Sequence, residues 1–192
     1  MYAAPVLDLR ANDLQTNPTD TEMVYVTLGP EGTNHDFVLR NHLRERSSAA
    51  RVIHAPDAKA MLAYCVRGEA THMMICAAHP EAAEIVATAQ YAHGILLTDT
   101  FIAASEPLAI LSRSDAECPG TIALHPATRP YTSLSEFDKV IEVRSTVAAF
   151  EGLQRGEWDC ALTQRRYAGS KGLKLVRTID AARDAWLVLS RG

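Results

Sequence analysis

The chain has 192 residues, 47% of them hydrophobic and 22% charged, with a net charge of −4. That is ordinary for a globular protein with a sizeable core, arranged as one large domain or two small lobes. Acidic and basic residues are mixed, and no basic tract or aromatic-basic stripe points to nucleic acid. No stretch approaches the roughly 18 uninterrupted apolar residues of a membrane-spanning helix.

The first residues, Met1-Tyr2-Ala3-Ala4-Pro5, lead into a polar stretch that ends at Thr21. A basic region followed by an apolar one is missing, so no secretory signal is read and a cytoplasmic location is expected. Residues 1–22 read as a flexible N-terminal segment. Cys65, Cys76, Cys118 and Cys160 are scattered, without the pairing of a zinc site, and are expected as reduced, mostly buried thiols. No metal and no cofactor are implied.

Beyond residue 22, short apolar runs alternate with helical stretches. Strands are expected at 23–28, 51–54, 72–76, 94–103, 107–112, 121–124, 139–143, 158–162, 174–178 and 185–190. Helices are expected at 34–46, 57–67, 79–90, 130–137, 146–154 and 163–169. This alternation predicts an α/β fold with mainly parallel strands. The long run from Ile95 to Ile110 breaks at Ala104-Ser105-Glu106-Pro107, where the chain is expected to cross from one lobe to the other. A second crossing is expected between Arg177 and Arg183. The division that follows is 23–103 plus 181–192 for one lobe and 104–180 for the other, with a ligand cleft between them.

Several strand ends carry candidate chemistry. Leu28-Gly29-Pro30-Glu31-Gly32-Thr33 is a tight turn before a helix, with Thr33 or Asn34 as the cap. A helix start offers free N–H groups and partial positive charge, so the turn can hold a carboxylate or phosphate, or serve only as a turn. Its spacing is neither that of a Walker loop nor that of a dinucleotide fingerprint. Ser145 or Thr146 caps the helix after the strand Val140–Val143, and Thr163 is read as the cap of the helix at 163–169. His125, in Leu124-His125-Pro126, could be a general acid, an anion ligand or a loop histidine. His79 is open in the same way. Arg129 and Arg165 could neutralise a carboxylate or stay in solvent. Cys76 has no activating base within its own motif.

Together these motifs resemble prephenate dehydratase catalytic domains. Leu28–Thr33 looks like that family's opening Gly-Pro-x-Gly-Thr signature, and His125-Pro126 is similar to its Ser-His-Pro segment. Ser145-Thr146-Val147-Ala148-Ala149 looks like its Ser-Thr-x-x-Ala segment. Asp159-Cys160-Ala161-Leu162-Thr163, followed by Gly172-Leu173, resembles its Ala-Ile-Ala-Ser…Tyr-Gly-Leu region. Order and spacing agree from about Val24 to Leu189. The resemblance implies a two-lobed, type II periplasmic-binding-protein-like α/β fold with an interlobe cleft, a small cyclic carboxylate as substrate, and a homodimer.

One departure bears on the reaction. The family's catalytic Thr-Arg-Phe triplet precedes its last strand, but here that place reads Arg183-Asp184-Ala185-Trp186. The regulatory ACT domain that often follows is not found before Gly192. Both features look like the bacilysin-type prephenate decarboxylase branch, which belongs to antibiotic biosynthesis. Cys76-Ala77-Ala78-His79 departs from the Val-Pro-centred segment of both branches.

The resemblance thus implies a carbon–carbon lyase that decarboxylates prephenate, or a related cyclic acid, without aromatising it. A dehydratase and a non-catalytic small-anion binding module are the alternatives. Such a lyase must anchor the side-chain carboxylate, desolvate the ring carboxylate and give a proton to carbon. The expected binding residues are Gly29, Thr33, Asn34, Ser145, Thr146 and Thr163, with Arg129 or Arg165. His125 is the first choice of proton donor and His79 the second.

Overall fold

A computed structural model of the chain describes residues 23–116 and 120–191. The segment 1–22 and Cys118 lie outside the described residues. Within them the elements run β1 (Val24–Leu28), α1 (Asn34–Glu45), β2 (Arg51–Ala55), α2 (Ala58–Val66), β3 (His72–Cys76), α3 (Ala82–His93), β4 (Ile95–Ala104) and β5 (Leu108–Arg113). Then follow β6 (Thr121–Leu124), a 3-10 helix (Pro126–Tyr131), β7 (Lys139–Glu142), α4 (Thr146–Arg155), β8 (Cys160–Gln164), a second 3-10 helix (Arg165–Gly169), β9 (Leu173–Ile179) and β10 (Arg183–Arg191). Among the described residues no helix is long and apolar enough to cross a membrane.

The strands form two five-stranded sheets, ordered β2-β1-β3-β10-β4 and β7-β6-β8-β5-β9. The two orders follow one plan. Three parallel strands stand side by side, and a strand arriving from the other sheet's half of the chain then pairs antiparallel with the third. That incoming strand also pairs antiparallel with the edge strand, β4 or β9. The sheets are therefore mixed, not mainly parallel as the alternation of elements suggested. The β4–β5 and β9–β10 connections are short extended segments without a crossover helix, and they run antiparallel to each other from one sheet into the other, so each brings in an antiparallel strand.

Alternation along the strands divides each sheet into two buried faces. In the first sheet Val26, Met73, Ile75 and Leu189 pack under α2 and α3, with Ala58, Met61 and Ile85. On the other face Tyr25, Met74, Trp186 and Val188 pack against Val38, Leu39 and Leu43 of α1. Trp186 is fully buried. In the second sheet Ala109, Leu111, Ala123 and Ala161 lie against Ala149 and Leu153 of α4. Burying each large apolar side chain contributes about 1.5–3 kcal/mol. Gly152 is needed in α4 because a Cβ there would stand 2.0 Å from the Trp158 ring, whose Nε1 donates to Ala149 O at 2.8 Å.

Three helix expectations are corrected. The helix expected at 130–137 is a 3-10 helix at Pro126–Tyr131; Pro130 inside it has no N–H to continue a ladder. The helix expected from Thr163 begins two residues later, as the second 3-10 helix, because β8 keeps pairing with β5 up to Gln164. The third helix starts at Ala82, not residue 79, and ends at Gly94, which takes the left-handed φ of 64°.

Candidate ligand cleft

A cleft of about 510 Å³ is lined from both sheets' strand ends, including Thr33, His35, His79, His125, Ser145 and Asp184. Its first wall is the turn after β1. Gly29 donates its N–H to Ala55 O at 2.9 Å, an approach so close that a Cβ on Gly29 would lie 2.5 Å from His54 Cβ. The turn does not present all of its N–H groups. That of Gly32 is taken at 3.0 Å by Asp36, which is 3% exposed and also accepts from Arg40 Nε and His54 Nε2, both at 2.8 Å. Burial pushes the Asp36 carboxyl up, but the Gly32 N–H, His54 and Arg40 outweigh it and hold the group below its ordinary range.

Thr33 stands at the N-cap of α1, but its hydroxyl donates back to Leu28 O at 3.2 Å and caps nothing. The first turn of α1 therefore has no side-chain cap, and Thr33, Asn34 and His35 all line the cleft. Asn34 ties this helix start to the β4–β5 connection: its Nδ2 donates to Ser105 Oγ at 3.0 Å, and its Oδ1 accepts from Glu106 N at 2.8 Å. Ser105 Oγ donates in turn to Asp184 Oδ2 at the start of β10.

The opposite wall is the start of α4. Ser145 Oγ accepts from Ala148 N at 2.9 Å, and Thr146 Oγ1 accepts from Gln164 Nε2 at 2.6 Å. With its oxygen already accepting from Gln164, the Thr146 hydroxyl keeps its proton to donate. Arg144 lines the cleft beside them.

Three histidines share this space. His35 receives the Cys76 N–H on Nε2 at 3.3 Å, and its ring lies edge-on to Trp186, with centroids 5.0 Å apart, and to His79 at 6.1 Å. Burial lowers its pKa to about 3, with the His79 and His125 charges adding to the effect. His79 Nδ1 accepts from Glu81 N at 3.2 Å, and His125 Nδ1 accepts from Ala127 N at 3.3 Å. Both backbone donors select the tautomer that carries the proton on Nε2. Desolvation lowers the pKa of both rings, offset at His79 by Glu81; at His125 the nearby His79 lowers it further and Glu142 opposes.

The structure brings Gly29, Thr33, Asn34, Ser145, Thr146, His79 and His125 to one cleft. It does not bring Thr163, Arg129 or Arg165 there. Thr163 is buried behind the wall, where its hydroxyl donates to Thr146 O at 2.7 Å. Arg129 reaches Glu142 at 3.3 Å on the surface, and Arg165 is exposed, with its backbone N–H on Pro107 O. Sequence reasoning missed His35 and Glu106 as lining residues, and it placed Arg144 in the helix-start segment Arg144-Ser145-Thr146 without choosing it as the carboxylate-neutralising arginine. His35 had a signal, since it directly follows Thr33-Asn34 at a helix start; Glu106 had none, because its place depends on the pairing of two sheets.

No protein-family model matches the sequence, and no curated protein is similar to it. Solved structures share the architecture. The chain superposes on a prephenate dehydratase from Arthrobacter aurescens, solved with L-phenylalanine, with a TM-score of 0.70 and 17% identity over 88% of this chain and 60% of that one. It is similar to the prephenate dehydratase of Staphylococcus aureus, with a TM-score of 0.64 and 13% identity over 88% and 66%. A quorum-quenching acylase matches with a TM-score of 0.60 and 14% identity over 88% and 64%. The chain thus spans less than two thirds of the length of these structures. Fold and cleft define a two-lobed α/β protein of the periplasmic-binding-protein-like class.

Proposed function

We propose that the cleft is the active site of a carbon–carbon lyase acting on prephenate or a related cyclic carboxylic acid, in the cytoplasm and as a homodimer. The observation that carries this reading is the facing of two Nε2–H imidazoles, His79 and His125, toward a space walled by the starts of α1 and α4. The sequence resemblance and the shared architecture of two prephenate dehydratases support the substrate class.

In this reading one carboxylate is held by Ser145, Thr146 and Arg144 at the positive start of α4. The half-buried cleft desolvates the ring carboxylate, which favours loss of charge as carbon dioxide. The bond from ring carbon to carboxylate breaks, its electron pair forms a new double bond to the neighbouring ring carbon, and the π pair displaced from the former double bond takes a proton at that bond's far carbon. His125 is the donor in its imidazolium form, which releases the Ala127 N–H from Nδ1 as it takes up its second proton, and its lowered pKa makes that form a stronger acid. His79 is the second choice. The hydroxyl stays on the ring, in keeping with Asp184-Ala185-Trp186 where the dehydratase triplet would stand.

Incubating the purified chain with prephenate separates the readings. A non-aromatic dihydro-hydroxyphenylpyruvate supports the decarboxylase. Phenylpyruvate means dehydration, and prephenate bound but unchanged means a binding module.

A further inference from the structure

Of the three histidines that line the cleft among the described residues, His35 takes no part in the proton transfer. It is the second residue of α1, and the first sheet fixes its ring. The Cys76 N–H, at the end of β3, donates to Nε2 at 3.3 Å. Trp186, which stands opposite Cys76 in the β3–β10 ladder, lies edge-on to the ring with centroids 5.0 Å apart. With Nε2 accepting, the single proton of the neutral ring is on Nδ1. Nδ1 has no partner among the described residues, and it is not sealed off: the buried side-chain polar atoms without a partner there are Glu106 Oε2 and Trp186 Nε1. His35 therefore offers the cleft an N–H donor.

That donor stays neutral. A second proton would have to enter at Nε2 against the Cys76 N–H, and burial, with the His79 and His125 charges, holds the pKa at about 3. A neutral imidazole is a far weaker acid than imidazolium, so it holds an oxygen without protonating it.

The two sides of the cleft differ in charge. Arg144 and the α4 start, in the second sheet's half of the chain, suit anions. His35 stands in the first sheet's half with Asp184, whose charge reaches the adjoining Cys76 and opposes an anion there. An uncharged oxygen fits a neutral donor in that place. Prephenate is polar in the same sense: its ring carboxylate and pyruvyl side chain share one ring carbon, and its hydroxyl is on the carbon opposite.

The geometry points to His35 as a specificity-determining residue whose Nδ1–H donates to the ring hydroxyl of the cyclic carboxylic acid without giving up its proton. This rests on the lyase reading, which puts the anionic end of the substrate at α4, and it names what holds the other end. A hydroxyl gripped by a neutral donor is not converted to water, so it stays on the ring.

Isothermal titration with cyclohexylpyruvate and (4-hydroxycyclohexyl)pyruvate tests it, since the pair differs only in the ring hydroxyl and neither has a ring carboxylate to lose. The unaltered chain binds the better-fitting hydroxyl epimer at least about tenfold more tightly than cyclohexylpyruvate. In His35→Leu that ratio falls to near one, through weaker binding of the hydroxylated ligand alone. His35→Asn separates recognition from structure: its Nδ2 supplies a donor in the place of Nδ1, but no atom reaches the Cys76 N–H, and the preference is kept. In the unaltered chain the His35 Nδ1 proton resonance moves downfield with the hydroxylated ligand only. Equal binding of the two ligands by the unaltered chain, a ratio unchanged in His35→Leu, the same loss in His35→Asn as in His35→Leu, or no binding of either ligand overturns the proposal. Prephenate turnover is read separately. Turnover by a chain without the hydroxyl preference sinks this inference and leaves the lyase, whereas the preference without turnover does the reverse.

Discussion

The guanidinium of Arg166 donates to the carbonyl oxygen of Gly32 at 2.7 Å, so the helical turn after β8 grips the turn after β1. Gln164 adds a second donor to the same oxygen at 3.2 Å, and Arg166 also pairs with Glu106, which is 7% exposed. Burial raises the Glu106 pKa, and only Arg166 opposes it; the second carboxylate oxygen is buried without a hydrogen-bond partner among the described residues. Arg166→Met leaves that carboxyl with no partner and is expected to destabilise the fold by about 1–3 kcal/mol in urea unfolding. Adding Glu106→Gln removes the stranded charge and recovers part of the loss. A single variant as stable as the parent contradicts the latch.

Gly29→Ala tests the close approach of the first turn to β2. The new methyl group would need His54 Cβ to move from 2.5 Å, and that atom is fixed to a backbone whose Cα stands 3.3 Å away. A loss of about 1–3 kcal/mol is expected from such overpacking, read from a lowered midpoint of thermal or urea unfolding.

His35 makes stability depend on pH. Its folded pKa of about 3 lies below the ordinary 6.5, so between those values the unfolded chain binds a proton that the folded chain does not. Stability is therefore complete above about pH 6.5 and declines as the pH falls, with a slope approaching about 1.4 kcal/mol per pH unit. His42, His72, His79 and His125 are shifted down as well and act in the same direction. His35→Leu should flatten the profile between pH 4 and 6. An unchanged slope in that variant would exclude His35 as its source.

His125→Ala is expected to lower kcat by about 100- to 10,000-fold while leaving the melting temperature close to the parent's. Because the donor is the protonated ring, kcat falls as pH rises through a pKa below the ordinary histidine value. Arg129→Ala and Arg165→Ala, which alter side chains outside the cleft, leave kcat unchanged. An unchanged rate in His125→Ala would transfer the role to His79.

The elements that the sequence made legible are those with strong local signals. The strand runs, the Gly29–Thr33 turn and the Ser145 cap all follow from periodicity and turn chemistry over a few residues. The errors have a common cause. Thr33 and Thr163 have the right residue type for a cap, yet each hydroxyl found a carbonyl made available by folding, Leu28 O and Thr146 O. Arg129 and Arg165 were chosen for their charge, but which arginine reaches the cleft depends on where the 3-10 helices turn, and Arg144 does so. Glu106 and Asp184 meet the cleft only because the two connections between the sheets run side by side, with Ser105 N on Ala182 O at 2.8 Å. No local pattern carries that pairing.

The most direct test of the central claim is proton magnetic resonance of prephenate incubated with the chain in heavy water. The account predicts loss of the ring carboxylate, retention of the ring hydroxyl, and one deuteron on a ring carbon of a non-aromatic product. That product should form about 100- to 10,000-fold more slowly with His125→Ala. Aromatic phenylpyruvate, or prephenate recovered unchanged, would contradict it.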